Sequence, residues 1–172
     1  MITKVARYLL ATLLIAGLVH IAAVLLIPNY APHRAYDAVI QAAAPARLTL
    51  VAPNASPLPG LDPAFVYAVC PLTPHTGPVR LAGAMPDSYW SVSVVDDTGR
   101  IVASLTREDA DTDTIDLTAG GTAATAGGAA ATVPLASQAG FFLIRAMVEH
   151  RSARPDVEAR LRALSCAAVK PG

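Results

Sequence analysis

Two cysteines, Cys70 and Cys166, are the residues of this chain best suited to a covalent role. In an oxidising compartment an isolated pair is read as a disulfide. The bridge would close a loop of nearly one hundred residues, worth ~4–5 kcal/mol through the entropy it removes from the unfolded chain. Geometry sets a condition on it. If a C-terminal helix runs regularly to Val169, Cys166 lies ~180° from Val157, nine residues at ~100° each, and faces away from the apolar stripe. The bond then needs either a helix that ends near Ser165 or a position at the domain's edge. The alternative is two free thiols. A nucleophilic Cys70 would require a thiolate-stabilising environment that the sequence does not display, and pairing would abolish it.

Other reactive side chains are dispersed. Residues 107–116, REDADTDTID, hold five acids, and Asp109, Asp111 and Asp113 imitate the opening of a calcium loop. The sixth position needs Gly and is Thr114, and the twelfth needs Glu and is Gly120, so a solvated acidic loop is the better reading. His33, His75 and His150 show no metal-ligand spacing, and no GxSxG elbow occurs. Two Gly-Gly pairs in residues 118–132 lack the lysine of a phosphate-binding loop and read as a flexible low-complexity connection. No catalytic residue, metal ligand or cofactor site emerges from these patterns. An enzyme would need a site assembled from scattered groups, for which Asp96, Asp97, His75 and Arg145 are the candidates.

The elements that would position such groups are easier to read. Thirteen basic residues balance thirteen acidic ones among 172, which argues against nucleic acid as a partner. Residues 8–27, YLLATLLIAGLVHIAAVLLI, contain no Asp, Glu, Lys or Arg. Twenty residues at ~1.5 Å each span the ~30 Å hydrocarbon core. Lys4 and Arg7 precede this stretch, Pro28 closes it, and the next charge is Arg34. The positive-inside rule then holds the N-terminus in the cytoplasm and exports residues 28–172. A cleaved signal peptide is the competing reading, but its apolar part is usually ~7–15 residues with small residues at the cut. Within the span Thr12, Ala16, His20 and Ala23 share one helical face, a stripe suited to contact with a second membrane helix.

The remainder reads as mainly β. A short capping helix over residues 33–44 lies between Pro32 and Pro45, and the Pro-rich residues 53–63 are irregular. Strands are expected at Phe65–Cys70, Val79–Met85, Tyr89–Val95, Arg100–Leu105, Ile115–Leu117 and Gly140–Glu149. Asp96-Asp97-Thr98-Gly99 joins two of them as a hairpin turn. After Pro155, the stripe Val157, Leu161, Leu164 and Ala168 predicts an amphipathic helix lying on the sheet; Arg151, Arg154, Arg160 and Arg162 form its solvated side. The expected architecture is an antiparallel β-sandwich, jelly-roll-like, behind a transmembrane helix. Its parts are residues 1–27 (cytoplasmic tip and anchor), 28–64 (juxtamembrane helix and linker) and 65–172 (periplasmic β domain).

Residues 65–104 carry Val69-Cys70, Gly77-Pro78-Val79, Tyr89-Trp90-Ser91 and Asp97-Thr98-Gly99. This stretch resembles the core of a bacterial envelope group called domain of unknown function 1254, in particular its short members with one N-terminal membrane helix. The resemblance implies a β-sandwich and often a companion protein, but supplies no agreed reaction. The expected function is accordingly a binding or assembly module at the bacterial inner membrane. Its partners would be the membrane itself and either another envelope protein or a second copy. A cell-envelope enzyme or small-ligand-binding domain is the alternative.

Overall fold

The computed structural model describes residues 2–30, 33–52, 58, 60–110, 112–121 and 130–169. The chain divides into two units, Met1–Pro32 and His33–Gly172. The first contains helix α1 (Ile2–Tyr30). Its segment Thr3–Leu26, 24 residues that include an 18-residue window of mean hydropathy 2.6, is long and apolar enough to cross a membrane. Pro28 does not close the helix as expected, because α1 continues two residues beyond it. Proline removes one backbone bond and crowds the preceding turn, and near a helix end little depends on that bond.

In the second unit a five-stranded sheet has the order β1 (Thr49–Val51), β2 (Phe65–Leu72), β8 (Gly140–Met147), β4 (Trp90–Asp96), β5 (Ile101–Thr106). A four-stranded sheet has the order β7 (Ala130–Val133), β6 (Thr114–Ala119), β3 (Val79–Ala84), β9 (Ser165–Ala168). Helices α2 (His33–Ala42) and α3 (Arg154–Arg162) complete the unit. The fold is the expected β-sandwich, antiparallel except for the parallel β6–β7 pair.

Strand β8 lies at the centre, paired along its length with both β2 and β4. Its alternation sends Phe142, Ile144 and Ala146 to one face, where they meet Ala68, Cys70, Trp90 and Val92 against the second sheet. Phe141 and Leu143 point the other way and join Tyr67, Val69 and Val95 beneath α2, which contributes Val39, with Ala43 just past its end. Each face of the central strands therefore buries apolar area, and α2 is needed to cover the outer one. The Tyr36 hydroxyl fastens that helix by donating to the Leu72 carbonyl at 3.1 Å.

Three strands differ from the sequence reading. β1 has no counterpart in it. Both ends of the expected Gly/Ala loop are strand, since β6 reaches Ala119 and β7 begins at Ala130; residues 122–129 lie outside the described residues. The C-terminal helix stops at Arg162, and the chain resumes as β9, paired antiparallel with β3 in the register Leu81↔Cys166. Val157, Leu161 and Leu164 are buried as expected, but Ala168 is exposed on the strand. The Ala163 N–H is shared between the Ala159 and Arg160 carbonyls, and Leu164 bonds back to Leu161, which tightens the helix end. The free backbone edge of β3 then takes up the next four residues. Apolar periodicity cannot reveal such an edge.

This junction depends on Gly83, whose φ of +145° is a region that residues with a side chain rarely adopt. A Cβ there would stand 2.9 Å from Leu164 Cδ2 and 3.3 Å from Leu164 Cα. Gly83→Ala is expected to lower stability by ~2–3 kcal/mol through strain and displacement of Leu164. An unchanged urea midpoint would show that the junction relaxes freely.

Candidate functional site

Cys70 and Cys166 form the disulfide, with Cα atoms 6.6 Å apart and a sequence separation of 96. The geometric condition is met by the shortened helix: Cys166 sits on β9, not on α3, and faces Cys70 on β2 across the sandwich. Cys70 is fully buried, whereas Cys166 is half-buried. Both sulfurs are consumed, so neither acts as a nucleophile in this state.

At one end of the sandwich a cleft of about 640 Å³ separates the β3–β4 connection from α3. Met147, Val157 and Ala163 supply apolar lining, and Asp87, Glu149, Asp156 and Arg160 supply charge. Ser88 also lines it, with a buried hydroxyl oxygen that has no hydrogen-bond partner. The Arg107 guanidinium steadies this wall by donating to the Ser88 carbonyl at 3.3 Å. Sequence reasoning missed this cleft. Its charged residues come from segments separated by some seventy positions, and Pro86 and Pro155 announced only a turn and a helix start.

The four dispersed residues proposed as an enzyme site do not converge. Asp96 and Asp97 share a second cleft of about 570 Å³ with Arg100 and Ser137, and neither His75 nor Arg145 lines it. Asp96 is in register with Gly140 at one end of β8, and Arg145 lies five residues further along. At ~3.4 Å per residue that is ~17 Å. The Arg145 guanidinium instead donates to Ser91 Oγ at 2.6 Å and lies 5.7 Å over the Phe65 ring. His75 is exposed in the β2–β3 connection, and His150 is exposed beyond β8.

In the acidic stretch Asp109 accepts from Thr106 Oγ1 at 2.6 Å, and Asp113 lies 3.8 Å from Arg107. Asp111 falls outside the described residues. Among the described residues no three His, Cys, Asp or Glu side chains gather as metal ligands. On α1, Thr12, Ala16, His20 and Ala23 do share one face, where they line a shallow groove with Ile15 and Val19. The Thr12 hydroxyl there donates to the Tyr8 carbonyl.

The β4–β5 turn gathers several donors around one carboxylate. The Asp96 carboxylate accepts from the Thr98 hydroxyl at 2.6 Å and from the Thr98 and Arg100 amides at 3.0 and 2.9 Å. Gly99 completes the turn with a φ of +79°. Burial alone would raise the Asp96 pKa. The three donors and the nearby Arg100 charge outweigh it and hold the carboxyl below its ordinary value. On the second sheet Asp116 is lowered chiefly by its two hydrogen bonds from Arg80, at 2.5 and 2.6 Å.

The fold thus defines a class, a two-sheet β-sandwich with helices on its faces, in a chain that begins with an apolar helix. No protein-family model and no curated protein matches the sequence. Solved structures that share the fold include two crystal structures of bacterial proteins. The VPA0106 protein from Vibrio parahaemolyticus superposes with a TM-score of 0.62 at 13% identity over 83% of this chain. An uncharacterised protein from Burkholderia cenocepacia gives 0.51 at 13% identity over 88%. The chain spans only 36% and 44% of the lengths of those two proteins.

Because the Asp96 pKa is depressed in the folded state, its contribution to stability is complete above the unfolded-state value of ~3.9. It disappears as pH falls through the folded value. Asp96→Asn keeps an accepting oxygen but removes the charge. The variant should be less stable than the parent at pH 7 and should lose less stability between about pH 5 and pH 2. Parallel pH profiles of the urea midpoint would refute this role for the carboxylate.

Proposed function

We propose that this chain is a membrane-anchored binding or assembly module of a bacterial envelope, acting through protein–protein contacts at the inner-membrane surface. The observation that carries the reading is the coexistence, in one chain, of an apolar N-terminal helix and an intramolecular disulfide. Disulfides persist in oxidising compartments, and Lys4 and Arg7 ahead of the helix favour a cytoplasmic N-terminus. On this reading the helix stays uncleaved and the sandwich matures in the periplasm. The motif resemblance to domain of unknown function 1254 supports the same placement. The partner is a second copy or another envelope protein, met in part through the face bearing Thr12, Ala16, His20 and Ala23.

A second reading, a small-ligand-binding domain, is favoured by the cleft beside α3. Its volume of about 640 Å³ falls within the ~300–1,000 Å³ typical of ligand pockets. Mixed apolar and charged walls suit a polar organic ligand better than a metal ion.

The first reading is tested on the full chain in native membranes. It should resist carbonate extraction, and alkaline phosphatase fused to its C-terminus should be active. After mild solubilisation it should elute above monomer mass, and Ala16→Leu should shift it towards the monomer by blocking close helix approach. A soluble, N-terminally shortened protein would defeat the anchor. A monomeric particle that also gives no crosslinks in cells would defeat the assembly role.

A further inference from the structure

We infer that strand β9 is latched by the disulfide and undocks when Cys70–Cys166 is reduced, leaving the rest of the sandwich folded and the edge of β3 bare. The strand has little else to hold it. It is terminal in its sheet, with β3 as its neighbour over four registered pairs. Ser165, Ala167 and Ala168 are exposed, and only Cys166 is half-buried. Beyond the registered pairs, the Val169 N–H donates to the Pro78 carbonyl at 2.8 Å. A four-residue strand of small exposed side chains buries almost no apolar surface to offset the entropy of ordering it.

The segments on either side of the bond behave differently. Immediately before β9, Leu164 is buried at 4% exposure and seated over Gly83, and Leu161 is completely buried. Helix α3 therefore remains docked, and the hinge falls between Leu164 and Ser165. Cys70, fully buried and in register with Phe142 on β8, sits in the best-packed part of the molecule and does not move. Only the Cys166 side of the bridge is free to leave. Its departure uncovers the edge of β3 over residues 79–82.

The step balances with a dithiol as reductant. A thiolate attacks the half-buried Cys166 sulfur, breaking the S–S bond and forming a mixed disulfide while Cys70 departs as a thiolate and takes up a proton. The second thiol of the reductant closes its own disulfide and releases Cys166, which is also protonated. Two electrons pass from the reductant to the pair.

Hydrogen exchange on the detergent-solubilised full chain, with and without dithiothreitol, tests the latch. After reduction, amides of residues 165–169 should exchange about tenfold faster or more, while 65–72, 90–96 and 140–147 keep their protection. A maleimide should then label Cys166 and spare Cys70. The double variant Cys70→Ala, Cys166→Ser should show the same exchange pattern without reductant. If residues 165–169 stay protected, pairing with β3 suffices and the latch is refuted. If protection collapses across both sheets, the bond holds the whole sandwich, and the inference fails equally.

Discussion

Two-sided burial of the central strands is the constraint on which the rest of the structure depends. A strand with one apolar face is satisfied by a single packing layer. β2 and β8 are apolar on both, so the sheet containing them must be covered twice. The second sheet covers the face of Phe142, Ile144 and Trp90, and α2 covers that of Phe141, Tyr67 and Val69. This requirement explains why a short helix after α1 belongs to the β unit and is not a free linker. It also explains why Arg145, on the outer face of β8, needs Ser91 and the Phe65 ring as company.

Around this core the covalent and electrostatic contacts act at the periphery. The disulfide joins the central sheet to the margin of the other, where apolar contact is thin. Asp96 organises a turn, and Arg80 with Asp116 ties β3 to β6 on an exposed face. Ion pairs in water contribute little. Their effect is to favour one register over its neighbours, while the interior supplies the driving force.

For function, the separation of the four scattered polar residues matters more than any one of them. Asp96 and Asp97 are engaged in turn and loop contacts, and Arg145 lies well along the same sheet. The cleft beside α3 collects a different set, Asp87, Glu149, Asp156 and Arg160, from the ends of elements. Sandwiches commonly carry their recognition surfaces at such ends, because loops there vary without disturbing the core.

Much of the architecture was legible in the amino-acid order. The apolar span, the alternation in YWSVSVV and GFFLIRAM, the Asp-Asp-Thr-Gly turn and the two-cysteine arithmetic are local or countable properties, and each led to the observed element or bond. The short strands β1, β7 and β9 were not legible. Their sequences, TLV, AATV and SCAA, have no distinctive periodicity, and an existing sheet edge recruits them. The cleft was equally hidden, since its walls are distant in sequence. Local pattern determines which segments bury a face. Where the chain turns back, which edge receives it and which polar groups meet depend on long-range backbone pairing, which only the folded sandwich decides.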